Sequence, residues 1–215
     1  MSRTNRMTWA ETLQWSEIPG LVKLEFDFLV SDYSFQPAVE EDLGTIAYTA
    51  SYRAANIAVE PVVDRKDVAV EVCLVRLDRG ERPQGWQLDA GGRLIMVRLF
   101  EACWHRKVPS PRVAPNGLLS PPNQLRALLR AEATTLTDHF VDILQDSDVL
   151  FVEMEEQRQQ IQRARTEKDF FSSAEALFRN KQFAQFVAHF KNCPYEFTPL
   201  WEKRLEYAQK RAGTA

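Results

Sequence analysis

Cysteine, histidine and glycine are scarce in this chain of 215 residues. It has three cysteines (Cys73, Cys103 and Cys193), three histidines and eight glycines. Three widely separated cysteines without a C-x-x-C pair argue against a disulfide framework and against the common cysteine-based zinc motifs. The phosphate-loop, dinucleotide-binding, nucleophile-elbow and H-E-x-x-H motifs are also missing. We therefore predict no cofactor, no metal site and no catalytic residue set.

The sequence also lacks long apolar runs and a strong charge of either sign. No stretch approaches the roughly 20 apolar residues that span a bilayer, and the N-terminus has no apolar signal core. We expect a cytoplasmic protein without a membrane partner. The net charge is -3, whereas nucleic-acid-binding domains are usually basic, and the basic residues around Trp104 are few. These features argue against nucleic acid as a partner.

Alternating apolar residues predict a small antiparallel sheet in the first half of the chain. The alternation has period two around residues 46–52, 57–63 and 68–74, and a fourth strand is predicted at about 93–100. Pro61 lacks a backbone donor and predicts that the second strand is an edge or carries a bulge. An amphipathic helix is predicted over 21–33, after an interruption at Pro19-Gly20.

Residues 108–123 hold five of the 11 prolines and predict a domain boundary. The predicted organisation is an α+β meander domain at 1–107, a proline-rich linker at 108–123 and an all-helical region at 124–215. Helices are predicted at about 125–144, 148–166, 170–180, 182–192 and 199–212. Within them, the segment 152–168 is polar almost all round, so it is either solvated or a narrow surface for assembly.

Four aromatic residues in predicted turns or strand ends are candidate interface anchors, because large amphipathic side chains dominate many binding surfaces. They are Tyr33, Phe35, Trp86 and Trp104. The alternative is an enzyme with a dispersed site around Cys103 and His105, with Glu101 nearby, since a thiol and an imidazole two residues apart on a strand share one face.

Two resemblances add expectations to this interpretation. Residues 174–190, AEALFRNKQFAQFVAHF, resemble one tetratricopeptide-type helical hairpin, with phenylalanines at packing positions, although Phe186 stands where such repeats prefer a small residue. The N-terminal segments LEFDFLVSDYSF and IAYTASY resemble small bacterial α+β proteins, some of which are toxin-immunity proteins. This second resemblance implies a binding role.

The leading hypothesis is a non-catalytic protein-binding module, with an immunity-type inhibitor of a bacterial toxin as its narrower form. The partner is then another protein, bound through a complementary surface rather than a reactive centre. Two alternatives stay open: the enzyme around Cys103 and His105, and an adaptor or assembly subunit, including a homo-oligomer, that uses the polar helix at 152–168.

Overall fold

The computed structural model describes residues 15–44, 46–64, 69–111, 121–191 and 193–213. It has the predicted α+β architecture, with an N-terminal helix, an antiparallel sheet and a helical C-terminal region. The strands are β1 (Gln36–Asp42), β2 (Ala47–Arg53), β3 (Ile57–Asp64), β4 (Ala69–Arg76) and β5 (Met96–Arg98). The helices are α1 (Ile18–Phe26), α2 (Phe28–Ser31), α3 (Leu99–Arg106), α4 (Pro121–His139), α5 (Val141–Leu144), α6 (Val149–Arg179), α7 (Phe183–Phe190) and α8 (Pro199–Ala212).

The five strands form one antiparallel meander in the order β1-β2-β3-β4-β5. The period-two pattern correctly predicted β2, β3 and β4, but it missed β1. That strand reads QPAVEED and is exposed at six of its seven positions, so it has no apolar alternation to detect. The sheet therefore has one strand more than the largest number predicted.

The prediction that Pro61 marks an edge or a bulged strand was wrong, because β3 lies at the centre of the sheet. Pro61 pairs with Val72 on β4. On the other side, the pairs Thr49–Val62 and Tyr52–Val59 share one register, and the ladder is interrupted between them, opposite Pro61. One lost hydrogen bond is thus tolerated inside an otherwise continuous ladder, without a register shift.

One face of the sheet is covered by helices α1 and α4. Tyr48 and Tyr52 of β2 pack with Val59 and Leu74 from the neighbouring strands and with Phe26 of α1 in a single core cluster. At the helix–helix contact, Glu25 of α1 accepts hydrogen bonds from two arginines of α4. The distances are 2.8 Å from Nε of Arg126 and 3.0 Å from Nε of Arg130.

The opposite face of β3 and β4 is covered by the long connection between β4 and β5. Cys73, Val75 and Met96 form a small second core there. Arg82 of the connection donates to Oε2 of Glu60 at 2.9 Å and lies 3.6 Å from the sulfur of Met96. This agrees with the mostly apolar sequence of β4, which is covered on both faces.

Two predicted element boundaries differ from the structure. Helix α1 begins at Ile18 and includes Pro19 and Gly20, because proline is tolerated in the first turn, where its missing N–H has no partner to lose. The fourth strand ends at Arg98 instead of residue 100, and Cys103-Trp104-His105 lies on helix α3 rather than at a strand end. A capping box between Arg98 and Glu101 begins this helix.

Helix α6 runs for 31 residues without the predicted interruption between 166 and 170. Residues 156–169 are exposed at every position, and the only large apolar residue among them is Ile161. Good helix formers and polar side chains continue through this segment, so nothing in it ends the helix.

The chain divides into two compact units, and the boundary lies between Glu155 and Glu156. The sequence predicted a boundary at 108–123, of which residues 112–120 lie outside the described part. The first unit contains the sheet and α1 to α5. The second unit contains α6 from Glu156 onward, with α7 and α8. Its aromatic cluster includes Phe170, Phe178, Phe186 and Phe190.

We expect Phe186→Ala to destabilise the second unit by about 3–5 kcal/mol, because Phe186 is fully buried in its small core. Hydrogen–deuterium exchange should show lost protection in α7 and α8. The exposed change Ile161→Ala is the control and should have little effect. Equal loss of protection in β3 and β4 would contradict the division into two units.

One carboxyl oxygen of the first unit is buried without a partner. Oε2 of Glu132 on α4 is inaccessible to solvent and has no hydrogen-bond partner among the described residues. Burial, with the nearby Glu71 carboxylate, raises the pKa of Glu132 to about 8. At neutral pH the folded protein therefore keeps a proton on Glu132 that the unfolded chain has lost.

The free energy of unfolding should consequently fall as the pH rises from about 4.5 to about 8, since the folded state binds more protons in that window. Glu132→Gln removes this dependence and should stabilise the protein by about 4 kcal/mol near pH 8, with no gain near pH 4. Urea unfolding at several pH values across this range measures the free energy of unfolding. Asp138→Asn, an exposed change on the same helix, is the control, and an identical pH profile for all three proteins would refute the assignment.

Candidate functional site

A cleft of about 530 Å³ lies at one end of the sheet in the first unit. This volume falls in the range of small-molecule and peptide-side-chain pockets. We call it the Arg53–Arg79 cleft. Four separate segments line it, contributing Tyr33, Ser34, Gln36, Arg53, Ala54, Ala55, Asn56, Arg79, Gly80 and Asp146.

Uncommon backbone conformations are concentrated in this cleft. Five residues other than glycine have a positive φ in the described part of the chain, and three of them line the cleft. They are Ser34 at 60°, Arg79 at 54° and Asp146 at 62°. Such conformations cost of the order of 1 kcal/mol each and persist where the surroundings impose them, often at functional sites.

The Asp146 carboxylate connects the β2–β3 turn to the connection between α5 and α6. Its Oδ1 accepts hydrogen bonds from the backbone N–H groups of Asn56 at 2.7 Å and Ile57 at 3.0 Å. Its Oδ2 accepts from Nδ2 of Asn56 at 3.0 Å. On the other side of this turn, the backbone carbonyls of Ala55 and Asn56 accept from Gly80 and Leu77. The β2–β3 turn, which lines the cleft, is therefore fixed by hydrogen bonds on both of its sides.

A polar network orients Arg53 at the cleft. Nε of Arg53 donates to Oγ of Ser51 at 3.2 Å, and that hydroxyl donates to Oε1 of Glu60 at 3.1 Å. Glu60 also receives the hydrogen bond from Arg82. Arg53 thus has one fixed hydrogen bond through Nε, which leaves its two terminal nitrogens for another group.

Arg79 adds a second cation to the cleft and is exposed. Within the described residues, neither the guanidinium of Arg79 nor the terminal nitrogens of Arg53 has an ion-pair or hydrogen-bond partner. The one carboxylate in the lining, Asp146, is already occupied by three backbone and amide donors. The cleft therefore presents unneutralised positive charge beside the half-buried ring of Tyr33.

This arrangement is suited to binding an anion. Arginine guanidinium groups bind carboxylates and phosphates through paired, directional hydrogen bonds. The lining contains neither histidine nor cysteine. Asp146, which would be the only carboxylate base, is committed to the turn.

The four predicted interface residues have different environments. Tyr33 lines the Arg53–Arg79 cleft. Phe35 is only 2% exposed and packs in the main core, so it does not face solvent. Trp86 and Trp104 are 69% and 85% exposed. They are available to a partner, but neither belongs to the cleft.

The structure does not bring the candidate catalytic residues into one site. On helix α3, residues two apart point about 200° away from each other, so Cys103 and His105 do not share a face. Cys103 is fully buried, and burial, together with the nearby Glu132, raises its pKa to about 11. Glu101 is engaged in capping α3, where its Oε2 accepts from the Arg98 N–H at 3.1 Å.

Other candidate ligands are also committed to structure. Asp142 binds Arg106 through two hydrogen bonds of 2.7 and 2.5 Å. His189 stacks on Phe170 with ring centres 4.1 Å apart. No group of three histidine, cysteine or acidic residues suited to a metal occurs in the described ranges.

No described helix is both long and apolar enough to cross a membrane. Comparisons with protein-family models, curated proteins and solved structures gave no match.

Of the residues that line the cleft, only Tyr33 was singled out in the sequence; Arg53, Asn56, Arg79 and Asp146 were not. The available signal was weak, because polar turn residues are common and these segments lie far apart in the chain.

We expect Asp146→Ala to lower the free energy of unfolding by about 2–3 kcal/mol, because it leaves two backbone N–H groups and the Asn56 amide without their charged acceptor. Alanine also tolerates a positive φ poorly. Asp146→Asn keeps an acceptor oxygen and tolerates this conformation, so it should cost less than half as much. Denaturant unfolding and amide exchange at Asn56 and Ile57 test this, and equal losses in both variants would contradict it.

Proposed function

We propose that this protein is a non-catalytic protein-binding module that recognises an acidic segment of a partner protein through the Arg53–Arg79 cleft. The main observation in support is that the terminal nitrogens of Arg53 and Arg79 have no hydrogen-bond or ion-pair partner within the described part of the chain. Two neighbouring cations repel each other, so an anionic group from outside the chain lowers the electrostatic energy of the cleft.

Preorganisation supports this proposal. Ser51 and Glu60 orient Arg53, and Asp146 holds the turn from which Asn56 projects. A site that is already ordered loses little conformational freedom on binding. Tyr33 adds an amphipathic ring that can pack against the aliphatic part of the bound segment.

An immunity-type inhibitor is one form that such a module takes. This narrower proposal rests on the resemblance of the N-terminal segments to small bacterial α+β proteins. The enzyme alternative has weaker support, because its buried thiol, its imidazole and its capping carboxylate do not converge. The adaptor alternative depends on residues 156–169 of α6, where Ile161 offers too little apolar area for a helical seam.

Binding of an acidic peptide tests the proposed function. The probe is an acetylated and amidated hexapeptide of alternating aspartate and glutamate, measured by isothermal titration calorimetry at low ionic strength. The double variant Arg53→Gln/Arg79→Gln should weaken binding by about tenfold or more, because each charge-assisted hydrogen bond contributes about 1.5–3 kcal/mol. Added salt should weaken binding to the native chain as well.

The matched control is Arg158→Gln/Arg163→Gln, which removes the same charge from exposed positions of α6. It should leave the dissociation constant nearly unchanged. An equal loss in the two double variants would mean that the peptide responds only to net charge. That result, or no binding by the native chain, would overturn the proposal.

A further inference from the structure

The outer strand of the sheet is a second surface with features of a binding site. Strand β1 pairs only with β2 among the described strands, so its other side presents unpaired backbone N–H and C=O groups. Such an edge is a template on which another extended chain can add as a strand. Pro37, which has no N–H, lies before the regular pairing that runs from Val39 to Asp42.

A small cleft adjoins this strand on the helix-covered side of the sheet. It has a volume of about 180 Å³, roughly the liquid volume of six water molecules, which suits one long side chain. We call it the Tyr52 cleft. The cleft is lined by Lys23 of α1, by Asp27 between α1 and α2, by Glu40 of β1, and by Tyr48 and Tyr52 of β2.

Tyr52 places an unused polar group in this cleft. Its side chain is 2% exposed, and its hydroxyl has no hydrogen-bond partner among the described residues. Burial, with the Asp27 and Glu40 carboxylates close by, raises the pKa of Tyr52 to about 12. A buried hydroxyl that faces two carboxylates is an acceptor site for a cationic group.

The charges of the strand determine which occupant fits. Glu40, Glu41 and Asp42 follow one another along β1, and in the Tyr52 cleft two carboxylates face the single ammonium of Lys23, which is itself exposed. Pairing β1 with β1 of a second copy would place carboxylates against carboxylates, which is destabilising. A basic segment brings the opposite charge to the same edge.

We propose that strand β1 binds an extended basic segment of another protein, which adds to the sheet as a sixth strand and inserts one lysine or arginine side chain into the Tyr52 cleft. Backbone hydrogen bonds along β1 supply affinity, and the charged side chain near Asp27 and Glu40 supplies selectivity. This inference goes beyond the proposed function, because it uses a different surface and a ligand of the opposite charge.

The test uses the full chain and a fluorescent, acetylated and amidated heptapeptide that alternates lysine and threonine. Fluorescence anisotropy measures its binding against two other probes. One has glutamate in place of lysine, and the other carries N-methyl groups on alternate residues, which block strand pairing but keep the charge. We expect only the unmodified basic peptide to bind.

Two protein variants test the cleft. Tyr52→Phe removes only the hydroxyl, and Glu40→Gln removes one carboxylate; each should weaken binding by about fivefold to tenfold. The matched control is Glu41→Gln, because Glu41 neighbours Glu40 but points to the other face of the sheet. It should have a smaller effect than Glu40→Gln.

Three results would overturn the inference. The first is equal binding of the N-methylated peptide, which would show attraction by charge without strand pairing. The second is equal weakening by Glu40→Gln and Glu41→Gln. The third is a concentration-dependent dimer whose β1 amides are protected from exchange, since a second copy would then occupy the edge.

Discussion

The hydrogen bonds to the Asp146 carboxylate are the contact on which the candidate site depends. They join the β2–β3 turn to a connection 90 residues further along the chain, and they do so through two backbone donors and one side-chain amide. These hydrogen bonds occupy Asp146, the one carboxylate in the cleft lining. The nearby arginines are therefore left without a counter-ion from the described residues. Asp146 thus both anchors the β2–β3 turn and, being engaged there, leaves the positive charge of the site uncompensated.

Strands were predictable where burial imposes an alternating pattern. Tyr48, Ala50 and Tyr52 are buried, whereas Thr49, Ser51 and Arg53 are only partly buried, so the alternation in β2 can be detected in its sequence. Strand β1 has no such signature, because its side chains are exposed on both faces. Helix α3 was taken for the end of a strand because its eight residues follow directly from β5, and only the capping box separates the two elements.

The candidate site was less predictable than the fold. Tyr33 was identified because large aromatic residues in turns are rare and conspicuous. Arg53 and Arg79 are ordinary polar residues in the sequence, and their significance comes from the four segments that the fold brings together. The positive φ of Ser34, Arg79 and Asp146 has no sequence signal either, because glycine is absent from these positions.

The central claim is that the Arg53–Arg79 cleft holds an acidic segment without chemical change. Amide chemical-shift mapping during titration with the acidic hexapeptide tests it most directly. The account predicts that the shifts concentrate at Tyr33–Gln36, Arg53–Asn56, Arg79, Gly80 and Asp146, and that the peptide is recovered intact. Shifts confined to other surfaces, or a cleaved peptide, would contradict it.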